Sequence, residues 1–424
     1  MNSKYFYKVG LALAIFGLVS CKPNIETFTP SKGTADFTRY IALGNSLTAG
    51  FSDGGLYLEG QQNSFPGMIA EQMKSVGGGS FSTPFFPAAQ FNGTGYLKLT
   101  ALTNGVPTFG KETSNLAIRG QVGGVTLYAK YTGDINNYGV PNIKLAHARL
   151  SNYGNFNGLF ERMLPGDYGT NPTTYLDFVT AKPWTFFSNW LGNNDILAYA
   201  SVGATGDLPT PKALFASEYS AVIDKLTSTG AKGVVGTIPD VTTTAYFRTV
   251  TLAALLKGIQ VTAPTVDKIY IKTGAGVTRP ATANDLFTLT LNSDNVIGKG
   301  NIPYGLHPLN PVESKYVLDI DEVVVVNDYI TSYNNSIKSI ANAKGLAIMD
   351  AYALLNEYSS GKAVNGIPVS GAFITGNLFS LDGIHLTPLG YAITANAFIS
   401  AINAKYGSSI PVVDVTKYRG VKLP

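Results

Sequence analysis

Three short stretches gather side chains of the kind that break ester bonds. In "YIALGNSLTAG", an apolar run ends at Gly44 and delivers Ser46 to the start of a turn. A serine so placed has two roles open to it, nucleophile at the end of a strand or cap of the next helix. Near the carboxyl terminus, "LDGIHLTPLGY" sets Asp382 three residues before His385, just ahead of a helix start. In a non-helical turn, that spacing lets the carboxylate orient the imidazole, the base a serine hydroxyl needs. It equally suits a local hydrogen bond that closes off the terminal helix. Between them, "WLGNNDIL" puts Gly192, Asn193, Asn194 and Asp195 at a strand-to-loop junction, where the Asn194 amide is a candidate oxyanion donor. Gly120, in "SNLAIRGQ", is another, because glycine lets a backbone N–H approach a ligand closely. Both stretches also read as ordinary turn chemistry. Of the 3 histidines, His147 in "IKLAHARL" reads as a helix-face residue and His307 in "YGLHPLNP" as a loop residue with room to line a cleft.

These groups need a scaffold that brings distant segments together. "FTRYIALG" has the β-branched and aromatic character of a buried strand. "NSFPGMIAEQM" follows as a helix, with Ser64 or Asn63 as cap and Pro66 in the first turn. Leu214, Phe215, Tyr219, Val222 and Leu226 form a helical stripe stopped by Gly230, and the strand "GVVGTIP" comes next. Val323, Val326, Ile330, Tyr333, Ile337 and Ile340 repeat that pattern up to Gly345, followed by the strand "LAIMD". A last helix is expected from Pro388, capped by Thr387, to Tyr406. Strands alternating with helices imply a parallel sheet covered on both faces, with chemistry beyond the carboxyl ends of its strands. Residues 77–189 and 253–311 break the alternation and are expected to form a cap or subdomain of short elements.

With 45% hydrophobic and 14% charged residues among 424, the chain has the composition of a globular protein. Its first twenty residues pair a basic "MNSKYFYK" with an apolar "VGLALAIFGLVS" too short to span a bilayer, the pattern of a signal peptide (1–20). "LVSC" then resembles a bacterial lipobox, which implies lipidation of Cys21 and anchorage to a membrane. Lys22 directly after Cys21 favours the outer membrane by analogy with lipoprotein sorting. Residues 21–36, polar and holding two prolines, read as a tether, and 37–424 as one folded domain. Cys21 is the only cysteine, so an intrachain disulfide and a cysteine-rich metal site are excluded. The formal charge of +4 less Lys4 and Lys8 of the signal leaves +2, no footprint for nucleic acid. Oligomeric state has no sequence signal.

Taken in order, these blocks resemble the GDSL, or SGNH, hydrolase family. Its Gly-Asp-Ser-Leu block is matched by "GNSLT" at Gly44–Thr48, its second glycine by Gly120, its Gly-x-Asn-Asp by Gly192–Asp195, and its Asp-x-x-His by Asp382–His385. The resemblance implies a three-layer α/β/α sandwich, flavodoxin-like, on a parallel sheet of about five strands. It implies that Ser46 attacks the ester carbonyl, His385 serves as base and then acid, and Asp382 orients His385. The oxyanion would be held by the N–H groups of Ser46 and Gly120 and the side chain of Asn194. No metal or organic cofactor is implied. Asn45 stands where the family carries aspartate, keeping hydrogen-bonding capacity without the charge. The expected activity is hydrolysis of carboxylic esters, with a small molecule, glycan or lipid ester as substrate. Carbohydrate O-deacetylation, acyl transfer on the same site, and glycan binding without turnover stay open as alternatives.

Overall fold

Along the apolar runs, successive side chains enter two different cores, as the period of two in a strand requires. Tyr40 and Ala42 point to one, Ile41 and Leu43 to the other; Phe186 and Phe187, then Val234 and Val235, divide in the same way. Full burial of such side chains is worth about 1.5–3 kcal/mol each.

The computed structural model describes residues 28–103 and 106–424, and Ser31–Pro424 form one unit. The expected signal peptide and Cys21 lie outside the described residues. Five strands build the central sheet: β1 (Tyr40–Gly44), β2 (Asn137–Gly139), β3 (Phe186–Trp190), β4 (Lys232–Gly236) and β5 (Ala347–Met349). They run in the order β5-β4-β3-β1-β2 with every pair parallel. The helices that bear on the site are α1 (Ser46–Ala49), α2 (Phe65–Met73), α3 (Asn194–Ala200), α4 (Lys212–Thr227), α5 (Ile320–Ala343), α6 (Ala351–Ser359) and α7 (Pro388–Tyr406). Phe65, Met68 and Ile69 of α2 and Phe398, Ile399 and Ile402 of α7 pack with Phe186 and Val234 on one face. Phe215 and Val222 of α4 and Val326, Ile330 and Tyr333 of α5 pack with Phe187 and Val235 on the other. This is the three-layer α/β/α sandwich expected.

The helix ends follow capping chemistry. Thr387 accepts from Gly390 N at 3.1 Å with Pro388 inside the first turn, and Gly407 closes α7 in the left-handed region. Asp319 and Glu322 form a reciprocal capping box at the start of α5. Leu214 departs from its expected stripe: it is exposed, in the first turn of α4, while Phe215, Tyr219, Val222 and Leu226 are buried.

Two boundaries differ from the sequence reading. Residues 31–36, expected in the tether, are docked: Thr34 N donates to Tyr406 O at 2.9 Å, and Ala35 is buried. The segment 77–189 is not wholly outside the sheet, for it contributes most of β3 and also β2, the edge strand beside β1. Three residues, one of them Asn137, carry too little apolar pattern to announce a strand. The rest of that segment includes the hairpins Tyr96–Thr103 with Val106–Glu112 and Ile118–Val122 with Val125–Tyr128. Residues 253–311 hold further short elements, among them Tyr270–Lys272 paired with Thr278–Pro280 and the helix Leu289–Asp294.

Candidate active site

The turn from β1 into α1 is shaped by close approach. A Cβ on Gly44 would lie 2.0 Å from Thr48 Oγ1, and one on Gly139 would lie 2.3 Å from Ala49 N, so glycines let α1 sit directly on the ends of β1 and β2. The cap of α1 is Asn45, whose Oδ1 accepts from Leu47 N at 3.0 Å. Ser46 is therefore not the cap: it occupies the first helical position, where its N–H has no intrahelical acceptor. Asn45 Nδ2 is buried without a partner among the described residues.

The structure brings Ser46, His385 and Asp382 into one line. Ser46 Oγ and His385 Nε2 are 2.8 Å apart, and His385 Nδ1 and Asp382 Oδ2 are also 2.8 Å apart. Asp382 Oδ2 accepts from Gly54 N at 2.8 Å, and Oδ1 from the N–H groups of Ile384 at 2.9 Å and His385 at 2.8 Å. Burial alone would raise the Asp382 pKa, but the imidazole and these N–H donors hold the carboxyl well below its ordinary range. An ionised Asp382 fixes the Nδ1–H tautomer and leaves Nε2 as acceptor for the serine proton.

A loop that sequence reasoning passed over holds this turn. Ser52 Oγ donates to Leu386 O at 3.0 Å, and Asp53 N donates to Ser380 Oγ at 2.9 Å. The Asp53 carboxylate accepts from Leu381 N at 3.0 Å and from Tyr57 OH at 2.8 Å; burial raises its pKa. The ring of Phe51 lies 4.5 Å from that of His385. "FSDGG" reads in sequence only as a turn, and no spacing rule ties it to a segment more than three hundred residues away.

The segment after β2 leaves the sheet beside the turn that carries Ser46. Its N–H groups can be followed one by one: Gly139 donates to Asn137 Oδ1, Val140 to Gly44 O, Ile143 to Val140 O and Lys144 to His147 Nδ1. Leu145 and Ala146 donate to the Asp195 carboxylate at 2.6 and 3.3 Å. Pro141 has no N–H, which leaves that of Asn142 without an acceptor among the described residues. Asn142 has φ 66°, a left-handed position that favours glycine or asparagine. The Asn194 amide donates one proton to Ile143 O at 2.9 Å, and its Nδ2 carries a second. Asp195 is buried beneath the segment, also accepts from Thr210 Oγ1 at 2.7 Å, and has its pKa pushed up to about 6 by burial.

Gly120 does not join this group. It pairs with Leu127 in a separate hairpin, and a Cβ on it would meet open space. The glycine that stands across the sheet from Gly44 is Gly139. "NNYGVPN" holds the signal that finds it, a glycine and a proline closing a very short strand. Gly192, at φ 112°, makes the turn from β3 to α3, and Asn193 precedes Asn194 there. His147 lies in a short 3₁₀ turn with its ring stacked on Tyr153, and His307 is exposed, its Nδ1 accepting from Leu309 N.

Beside Ser46 on the side of β3 and β4, a narrow apolar cavity of about 60 Å³ opens over the strand ends. Leu47, Trp190, Leu197, Ile384 and Leu386 line it, and Leu355 and Tyr358 of α6 close its far side.

The architecture agrees with sequence kinship. The chain belongs to the GDSL-like Lipase/Acylhydrolase family, which it matches over residues 40–398, and it is an ester hydrolase. Among solved structures, it is similar to LAE5, an α/β hydrolase enzyme from the metagenome of Lake Arreo, at 10% identity and TM-score 0.39, covering 88% of this chain and 97% of that one. The lipase/acylhydrolase from Enterococcus faecalis is similar at 11% identity and TM-score 0.35, with 88% and 100% covered. The extracellular lipase from Streptomyces rimosus follows at 12% identity and TM-score 0.33, with 86% and 99% covered. No curated protein matches the chain by sequence.

Proposed function

We propose that this protein hydrolyses esters of short carboxylic acids through an acyl-enzyme on Ser46, at the cell envelope. The 2.8 Å contacts that link Ser46, His385 and Asp382 carry the reading. Ser46 Oγ attacks the carbonyl carbon as its proton passes to His385 Nε2, giving a tetrahedral intermediate. The N–H groups of Ser46 and Asn142 and the free N–H of Asn194 surround the position of the oxyanion. Collapse expels the alcohol, which takes the proton from His385. Water then attacks the acyl-enzyme with His385 again as base, releasing the acid and restoring Ser46. The acyl chain lies in the apolar cavity beside Leu47, whose small volume limits it to a few carbons.

The test is hydrolysis of p-nitrophenyl acetate and p-nitrophenyl dodecanoate by residues 22–424 and by the Ser46→Ala variant. The expected result is a preference for acetate and a loss of kcat of about 10⁴-fold or more in the variant. Activity retained in Ser46→Ala overturns the nucleophile assignment, and a preference for dodecanoate overturns the assignment of the acyl cavity.

The envelope location rests on the basic and apolar segment before Cys21 and on the "LVSC" that ends it. Acylation of Cys21 tethers the enzyme, and Lys22 after it favours the outer membrane. Full-length protein expressed in a bacterium should partition into the detergent phase, and the Cys21→Ser variant should lose the acyl mass and that partitioning.

A further inference from the structure

A second cavity lies along the segment that follows β2. An open groove of about 450 Å³ reaches Asn142, the residue with the unengaged N–H, and extends between the hairpin of Ile118–Val122 with Val125–Tyr128 and the turn around Tyr153. Its walls combine ring faces and neutral polar groups: Tyr128, Tyr153 and Phe156 with Thr126, Asn142 and His147.

Phe156 is 69% exposed, although a phenyl ring gains from burial. Leu150, 42% exposed, lies on the same groove. The ring of His147 stacks on Tyr153 with centroids 4.9 Å apart. Its Nδ1 accepts from Lys144 N, and burial lowers its pKa, so the neutral ring carries its proton on Nε2 as a donor. Asn157 Nδ2 donates to Pro141 O at 2.8 Å and to Tyr153 OH at 3.0 Å, which ties the aromatic wall to the residue preceding Asn142. Among the described residues, no Asp, Glu, Lys or Arg lines the groove.

The exposed ring of Phe156, beside neutral amide, imidazole and hydroxyl groups, matches the two surfaces of a pyranose, an apolar C–H face and a rim of hydroxyls. An extended lipid would find polar groups along the wall, and an anionic alcohol would find no cation. We infer that this groove binds the neutral sugar of an O-acylated carbohydrate, whose ester oxygen stays within reach of His385 Nε2 to take up its proton while the sugar extends past Asn142 and the short acyl group occupies the cavity beside Leu47. The inference rests on the proposed ester hydrolysis at Ser46 and names the alcohol it releases.

The test compares mono-O-acetyl xylobiose with p-nitrophenyl acetate for the wild type, Phe156→Ala, His147→Gln, and Val412→Ala as an equally exposed apolar control elsewhere. Wild type should favour the sugar ester in kcat/KM. The ratio of the two kcat/KM values should fall at least tenfold in Phe156→Ala, through KM for the sugar ester, and severalfold in His147→Gln; it should hold in Val412→Ala. If p-nitrophenyl acetate is turned over but the ratio is unmoved by Phe156→Ala, the sugar subsite is wrong and the esterase stands. If neither ester is turned over, calorimetric titration of xylobiose into Ser46→Ala and Ser46→Ala/Phe156→Ala decides. Binding lost with the ring supports the groove without the chemistry; no binding, or equal binding, overturns it.

Discussion

The segments that approach Ser46 from its two sides are held in different ways. On the His385 side, residues 380–386 are fastened by many independent bonds: Gly54 N to Asp382, Ser52 Oγ to Leu386 O, Leu381 N to Asp53, and Tyr246 N to Gly383 O. On the Asn142 side, residues 142–146 lean mainly on two neighbouring residues of α3, with Asn194 holding Ile143 O and Asp195 holding Leu145 and Ala146 N–H, and on one ion pair from Lys144 Nζ to Asp207 at 2.9 Å. The first arrangement tolerates the loss of one contact. The second concentrates positioning and electrostatics in two side chains, one of them a buried carboxylate, and is where substitution and pH should act most strongly.

Asn194→Ala tests that concentration most severely. It removes both the brace to Ile143 and the N–H proposed for the oxyanion. Removing one such donor lowers kcat on the order of 10²–10³-fold with KM little changed, and the lost brace adds to that. Steady-state rates on p-nitrophenyl acetate measure it. A loss below about tenfold would mean that the oxyanion is held by backbone N–H groups alone.

The two sides also differ in how far they could be read from residue order. Asp382 and His385 are three residues apart and precede a helix with clear cap signals, so the acid and base were visible locally. So was Ser46, at the end of an apolar run, and so were the sandwich's main helices, whose stripes repeat at three and four. The sheet edge was not: β2 is Asn-Tyr-Gly, and its place beside β1 depends on register across the sheet, Gly44 with Gly139. The open N–H of Asn142 was invisible for the same reason, since it is defined by what every neighbouring N–H already donates to. The clasp of residues 51–55 and the aromatic groove bring together segments far apart in the chain, and such contacts leave no periodic signal.

Asp195 offers a smaller but directional effect. Its folded-state pKa of about 6 lies above the ordinary 3.8, because burial disfavours the charged form. The folded chain therefore holds this proton more tightly than the unfolded chain, and this group's contribution to stability falls as pH rises from about 4 to about 6, then levels off. The full change is about 3 kcal/mol at most. Asp195→Asn abolishes the titration, so its stability relative to wild type should climb across that window and be flat above it. Urea denaturation of both proteins at pH 4, 5, 6 and 7 measures the difference. A relative stability that stays level throughout would show that water reaches the carboxylate and that the segment is looser than its hydrogen bonds suggest.

Gly120→Ala should do least, and for that reason it separates the two candidate positions for the second backbone donor. Gly120 lies outside the left-handed region, and a Cβ there meets nothing within 4 Å, so the folded chain accepts the methyl group without strain. Its partner across the hairpin is Leu127, remote in the pairing scheme from Gly44. Rates on p-nitrophenyl acetate should stay within about twofold of wild type, since surface substitutions away from special features cost about 0.5 kcal/mol or less. A drop of tenfold or more would place the hairpin over the oxyanion during turnover and return to Gly120 the role proposed for Asn142.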